Sequence, residues 1–404
     1  MKPDTDLPTT PTAPAEPQSG SHEIVGVRTV RLSRLLSRDE PRYSNDWRAL
    51  KVDRAFVEVN TAGGEVGLGE LAASGSLAEA ERFADWISRR AVGRHLADAF
   101  ELCRPSGSSR SWDAAAAAVD SAIWDAIACR AHVPLHENLS GENAHPLPVP
   151  ATADAGCCLD WGNSTDAILE EAAACATFPF HSYSLRLGTA WEWDHIGPTE
   201  FLALAWEVHS ELGETLLVVD AEERLTVRDA LELADGLSEI GCTTLRRPFP
   251  ITEVDAYRAL AAAQAGLAIT AGGTLTTYDR LLPFLEEGLL GGIEFEIGLC
   301  GISEARKRCL LASDYALPAH AVGETGAIGA LASAHVLAAH SVDGHVHIPY
   351  SSGRLVGGIL DESLTLRRGS IALPRGSGLG IQLTPGLEAL FPWIEGSSSV
   401  LVQR

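Results

Sequence analysis

Between Ile24 and about Asn60 the chain alternates apolar and polar residues with the two-residue period of half-buried strands, as in "RAFVEVNT". "TAGGEVGLGE" then supplies a glycine turn before a second such run, and the pattern predicts an antiparallel sheet. The period lengthens afterwards. "SLAEAERFADWISRRAV" and "SWDAAAAAVDSAIWDAIACRA" carry apolar residues at helical spacing, Val119, Ile123, Trp124 and Ile127 among them. After "PLPVPATADAG" short apolar runs alternate with amphipathic helices such as "PTEFLALAWEVHSELG" and "VRDALELADGLSEIG", both ending on glycine as helices often do. The strand-like runs end near Ala153, Leu187, Asp220, Arg246, Gly272, Ile297, His320 and His347. Eight such units suit a closed (β/α) barrel better than an open sheet, and chemistry in a barrel sits at the C-terminal ends of its strands.

Composition narrows what this chain can do. Its 404 residues, 46% of them apolar, exceed one small core, and a formal charge of -23 argues against nucleic acid or an anionic membrane as partner. No apolar run reaches the ~18 residues of a membrane span, and the N-terminus lacks the order of a signal peptide. Residues 1–22, rich in Pro and Thr, read as a disordered tail. The eight cysteines follow neither a metal spacing nor a disulfide framework, and Cys157 and Cys158 are neighbours, so the expectation is reduced thiols in a cytoplasmic protein. Lysine occurs only as Lys2, Lys51 and Lys307, which leaves few carriers for lysine-based proton transfer.

Against this acidic background "TTLRRPFP" ends a buried-strand pattern in Arg246 and Arg247. The sequence around it resembles the enolase superfamily, in its mandelate racemase and muconate lactonizing enzyme branch. "AAAAVDSAIWDAIACRAHVPLHENLSG" is similar to that family's capping-domain helix and turn, "CGISEARK" to the segment after its sixth strand, and "GSIALPRGSGLGIQL" to its C-terminal signature. With "VEVNTAGGEVGLGE" the resemblance runs from about residue 24 to residue 385. It implies an α+β capping domain over residues 23–146, a (β/α) barrel of modified TIM type over 147–354, and a segment at 355–404 that returns to the capping domain. It also implies a small-molecule substrate and a homo-oligomer.

Members of that family hold a divalent cation, usually Mg²⁺, with three carboxylates at the ends of strands three, four and five. The cation stabilises an enolate formed beside a substrate carboxylate. Here "LLVVDAEERL" matches the first ligand with Asp220, "LRRP" puts Arg246 at the second, and "ITAGGTLTT" puts Gly273 at the third. A guanidinium at a ligand position repels a cation, so the expectation is no Mg²⁺ and no other cofactor. The family's Lys-x-Lys on strand two becomes Ser184 and Arg186 in "SYSLRLG". Arginine holds its proton too tightly to be an ordinary base, but it grips a carboxylate by two parallel hydrogen bonds. On strand seven "LPAHAVGE" keeps His320 where racemase-like members place a histidine base. Its aspartate partner on strand six aligns with Phe295, flanked by Glu294 and Glu296, so a one-residue slip would restore a carboxylate. On strand eight "GHVHIP" places His347 near the position of an acidic hydrogen-bond donor, although either His345 or His347 could face inward.

Each residue also has a plainer reading. Arg246 pairs with Asp220 or Glu222, contacts substrate, or does both, whereas Arg247 is expected to point away because consecutive strand residues face opposite sides. His320 and His347 could be hydrogen-bonded core histidines, and Cys157 and Cys158 core fillers. The two tryptophans of "TAWEWDHIG", Thr189 to Gly197, either pack the loop or wall a bulky substrate. The reading carried forward is a divergent, metal-independent isomerase or lyase acting on a small carboxylate. His320, Asp220 and Arg186 form its catalytic set, and Arg246, Ser184, Glu222 and His347 surround the substrate. The alternatives are a catalytically silent ligand-binding or regulatory homologue, and a Mg²⁺-dependent enzyme with ligands displaced to Glu222, Glu294 or Glu296.

Overall fold

The alternating N-terminal segments form a three-stranded antiparallel sheet of β1 (Ile24–Leu35), β4 (Lys51–Thr61) and β5 (Val66–Leu71), in the order β1-β4-β5. Two short strands, β2 (Tyr43–Ser44) and β3 (Trp47–Ala49), interrupt the run, and β3 also pairs with the C-terminal strand Ser399–Leu401. The computed structural model describes residues 22–401, apart from 38–42, 45–46, 73–75, 141–147, 159–163, 179, 189–190, 192–194, 264–265, 324–325, 352–353, 356–357 and 361–362. Residues 1–21 of the expected tail therefore lie outside the described residues.

The alanine run explains how this sheet is covered. The helix Arg110–Ala131 starts at Ser109, whose side chain accepts from the Trp112 N–H, and ends at His132 in the left-handed conformation. Ala114 to Ala118, Val119, Ala122, Ile123 and Ala126 along it are all buried, because it lies between the sheet and the barrel. Small residues on both sides let the backbones meet. A Cβ on Gly67 or Gly69 of β5 would overlap the carbonyl of Ala122 or Ala118. Two buried carboxylates on the same helix fasten it to its neighbours. Asp120 accepts from the Ser303 N–H at 2.9 Å, and Asp125 from the N–H groups of Leu68 at 2.7 Å and Leu379 at 2.6 Å.

Eight parallel strands follow: β6 (Val149–Cys158), β7 (Ser182–Arg186), β8 (Leu216–Asp220), β9 (Thr244–Arg246), β10 (Ala268–Ala271), β11 (Gly292–Phe295), β12 (Ala319–Ala321) and β13 (Val346–Ser351). Pairing of β13 with β6, from Val346 against Ala151 to Tyr350 against Ala155, closes them into a barrel. The expected strand ends fall within two residues of these except in β6 and β13, which run on to Cys158 and Ser351. The fold is the α+β capping domain and (β/α) barrel that the sequence led us to expect. Among the described residues no helix is long and apolar enough to cross a membrane.

The two units meet at the mouth side of the barrel. Glu70, at the end of β5, accepts the N–H groups of Gly326 at 2.7 Å and Gly329 at 2.9 Å, at the start of the helix Ala327–His340 after β12. A carboxylate there satisfies orphan helix N–H groups and complements the helix dipole. Gly69→Ala forces a methyl group into the Ala118 carbonyl, and its expected cost is about 1–3 kcal/mol or more. Urea unfolding checks this, and an unchanged midpoint would show that the helix is not seated on β5 as described.

Candidate active site

Parallel register brings the charged side chains of the barrel together at its C-terminal end. Asp220 pairs with Arg186 on one side and Arg246 on the other, Ser184 pairs with Asp154, and Glu294 with His320. Arg246, 3% exposed, points inward. Its Nε donates to Glu294 Oε1 at 2.9 Å, and one terminal nitrogen lies 3.2 Å from Asp154 Oδ1, 3.3 Å from Ser184 Oγ and 3.4 Å from Asp220 Oδ2. Thr270 Oγ1 donates to the same Glu294 oxygen at 2.8 Å, and His347 Nδ1 lies 2.8 Å from Asp154 Oδ1. Burial works against the charge on Arg246, and Glu294, Asp220 and Asp154 outweigh it, so the guanidinium holds its proton more tightly than usual.

Arg247 corrects an expectation. It does not turn away from the barrel. A left-handed φ of 44° at the end of β9 swings its side chain back over Asp220, where Nε donates to Oδ1 at 2.9 Å and a terminal nitrogen to Oδ2 at 2.6 Å. Burial alone would raise the Asp220 pKa. Arg247 and Arg246 reverse that and hold the group well below the usual carboxylate range. Asp220 is thus an ionised acceptor tied at both oxygens and has no proton to give. Glu222 and Glu223, with φ of 52° and 63°, are left-handed as well, and the Glu223 N–H donates to the Arg247 carbonyl at 2.8 Å. Such backbone collects at functional mouths.

The other expected residues take definite places. Arg186 lies 3.5 Å from Glu222, which also faces Arg224 at 3.6 Å, so Glu222 is on the rim and not beside Arg246. Phe295 is fully buried in the apolar core, while Glu294 one residue earlier faces the barrel interior. Glu294 does not pair with the strand-seven histidine, because its Oε1 is taken by Arg246 and Thr270 and its Oε2 has no hydrogen bond. A Cβ on Gly273 would lie 2.6 Å from Val322 and 3.2 Å from Glu294 Oε2, so no larger residue fits there as the barrel stands. Trp191 is buried and stacks edge-on against Phe201, with ring centres 6.1 Å apart, which makes it loop packing. Trp193 lies outside the described residues, as do the side chains of Cys157 and Cys158.

His320 lies deeper than a mouth-facing base. Its Nδ1 accepts the His345 N–H at 3.3 Å, and its Nε2 lies 3.2 Å from where a Cβ on Gly292, two residues before Glu294, would be. His345, edge-on to the rings of both His320 and His181, lies 3.2 Å from Thr152 Oγ1. Burial pushes His320 down to about 3, with His347 and Arg246 adding to the effect, and pushes His345 to about 2. Asp154 was not singled out by the sequence, and Glu294 was named there only as a partner for the histidine or a displaced metal ligand, not as an acceptor for Arg246. Asp154 stands in "PATADAG" without any motif around it, and its alternation with Thr152 along an inward-facing strand was the available signal.

Comparison with known proteins gives this arrangement a setting. The family described as "Enolase C-terminal domain-like" matches residues 156–387, and "Mandelate racemase / muconate lactonizing enzyme, N-terminal domain" matches residues 50–140. The chain is 24% identical over 388 residues to D-galactarolactone cycloisomerase of Agrobacterium fabrum (strain C58), covering 89% of this chain and 96% of that one. Among solved structures it is similar to a member of the enolase superfamily from Polaromonas sp. JS666, with TM-score 0.76, 22% identity, and coverage of 93% and 98% of the two chains. It is also similar to a racemase from Streptomyces coelicolor A3(2) with bound magnesium, with TM-score 0.74, 18% identity, and coverage of 89% and 97%.

The buried imidazoles set an acid limit on the fold. Unfolded histidine takes up a proton near 6.5, whereas His320 and His345 resist protonation down to about 3 and about 2. Between those values the unfolded chain binds more protons, so stability is full above pH 6.5 and falls as pH drops below it, by at most about 1.4 kcal/mol per pH unit for each group. Asp220 and Asp154, both lowered, extend the loss below their unfolded value of 3.8. Unfolding by urea at pH 7, 5.5 and 4 checks the sign, and stability that rises on acidification would refute the placement of these histidines.

Proposed function

Since the chain belongs to the mandelate racemase and muconate lactonizing enzyme branch of the enolase superfamily, we propose that it is an isomerase or lyase moving a proton beside the carboxylate of a small organic acid. We propose further that it does so without a divalent cation. The observation that carries this reading is the Arg246 guanidinium, held among Asp154, Asp220 and Glu294 at the barrel mouth. Asp220, at the first ligand position, is already engaged by two guanidinium groups, and Gly273, at the third, offers no ligand and no room for one. These residues do not fit Mg²⁺. In this reading a fixed positive charge does what a bound cation does elsewhere, stabilising negative charge as it develops on the substrate. Arg247 and Arg186, 26% and 15% exposed, are the guanidinium groups that reach the opening and receive the substrate carboxylate.

The cycloisomerase and racemase resemblances favour isomerisation over elimination. A second reading, a ligand-binding or regulatory protein without chemistry, is favoured by the carboxylate partners that Arg186, Arg246 and Arg247 already have in this structure. Displacement of metal ligands to Glu222 or Glu294 has less support, because both face arginine.

Two measurements decide between these readings. Added Mg²⁺ or Mn²⁺ leaves the melting temperature unchanged, and a chelator leaves solvent-deuterium exchange into a panel of 2-hydroxy acids and acid-sugar lactones unchanged. Exchange that requires metal refutes the cation-free reading, and no exchange with any of them favours the binding protein. Arg246→Ala leaves buried carboxylates unpaired and costs about 3–5 kcal/mol, part of which free guanidinium ion restores. A variant as stable as the parent would show that Arg246 does not hold this network.

A further inference from the structure

We propose that His347, oriented by Asp154, is the proton acceptor of this site in place of His320. The assignment rests on the reading of the site as one that takes a proton from a carbon acid. Its basis is that the two histidines are held in opposite tautomers, each fixed by its neighbours.

Nδ1 of His347 lies 2.8 Å from Oδ1 of Asp154. A carboxylate offers only lone pairs at that distance, so Nδ1 carries the hydrogen and donates it, which leaves the lone pair on Nε2. A terminal nitrogen of Arg246 also lies 3.0 Å from this Nδ1, a contact whose direction depends on the tautomer, and with the hydrogen on Nδ1 that nitrogen donates to oxygen instead. That terminal nitrogen has two hydrogens and three oxygen acceptors, on Asp154, Ser184 and Asp220 at 3.2, 3.3 and 3.4 Å. Among the described residues Nε2 of His347 makes no hydrogen bond, so its lone pair is not taken by a protein donor there. Asp154 is 20% exposed and His347 3%, so the carboxylate is the member of the pair that reaches toward the mouth.

His320 is the reverse case. Its Nδ1 lone pair receives the His345 N–H, so in the neutral ring the hydrogen sits on Nε2. A ring in that state donates a hydrogen bond and has no lone pair left with which to take a proton. His320 can act on its surroundings only as a donor.

The resulting step balances. Nε2 of His347 takes the hydrogen from the carbon beside the substrate carboxylate, and the C–H electron pair passes into that carboxylate as an enolate. The imidazolium that forms is offset by Asp154, which stays ionised and does not itself take the proton. Return of the proton by the same imidazolium to a different carbon conjugated with the enolate, on the face from which it was taken, completes an isomerisation, and trading that proton with solvent before its return gives the exchange. A carboxylate that fixes the tautomer and orientation of a histidine base is a recurrent solution to this task.

The test uses full-length protein carrying ¹⁵N-histidine, near pH 7, with ring signals assigned through His347→Gln and His320→Gln. The expected spectrum shows His347 with its hydrogen on Nδ1 and His320 with its hydrogen on Nε2. Asp154→Ala moves His347 toward the other tautomer, whereas Asp154→Asn, whose carbonyl still accepts, retains the original one. With any carbon acid that the parent exchanges, His347→Gln lowers exchange by on the order of 10²–10⁴-fold at unchanged KM, and His320→Gln lowers it less. His347→Asn with a parental melting temperature serves if the glutamine variant does not fold. His347 found with its hydrogen on Nε2, or exchange that survives in a folded His347 variant, overturns the proposal. A parent that exchanges no carbon acid removes the base role together with the proton-transfer reading, while the spectrum still decides the Asp154–His347 bond.

Discussion

A guanidinium sealed inside a barrel holds its place only if carboxylates close around it, and the mouth of this barrel is arranged by that requirement. The acids that surround Arg246 come from three separate strands, with Asp154 on β6, Asp220 on β8 and Glu294 on β11. None of these charges would be tolerated at its depth alone, because an unpaired buried ion costs several kcal/mol. The strands must therefore close in one register, and the turn after β9 must deliver Arg247 as a second cation to Asp220. His347 and Ser184 complete the shell, so the polar interior forms one network and not a set of separate pairs.

The fold was legible in the sequence because it rests on periodicity. Two-residue alternation gave the capping sheet, the recurrence of short apolar runs and amphipathic helices gave the barrel, and both follow from residue type alone. The site was legible only where one residue type changes charge against a motif, as with Arg246 in "LRRP" and Gly273 in "ITAGGTLTT". What stayed hidden depends on geometry that no local pattern carries. A single left-handed φ at Arg247 reversed the side that strand alternation assigned to it. Glu294 and Phe295 could be told apart only by the register of β11, since either would satisfy an apolar strand pattern with one acid displaced. For the histidines the decisive fact was which ring nitrogen is occupied, and that follows from the backbone N–H of His345 and the carboxylate of Asp154.

The capping domain is joined to this site by backbone hydrogen bonds more than by packing alone. Asp120 and Asp125 spend their carboxylates on N–H groups of the barrel helix, of β5 and of the C-terminal segment, and burial raises both to about 7. Glu70 reaches from the cap to the first turn of the helix after β12. β12 carries His320, so through this helix start the cap reaches the element that follows that strand.

Gly273 isolates this arrangement among neighbouring sequences. An acidic residue in place of Arg246 alone would gather a fourth carboxylate around an empty centre, with Asp154, Asp220 and Glu294 repelling one another and the newcomer. An acidic residue in place of Gly273 alone would strike Val322 and crowd the unpartnered oxygen of Glu294. Each single step loses stability before anything is gained. A centre with carboxylates at all three of the family's ligand positions therefore needs both residues 246 and 273 to change within one sequence. Drift can reshape the rim around Glu222 and Arg224 one residue at a time, but the sign of the charge at the centre cannot be reversed by that route.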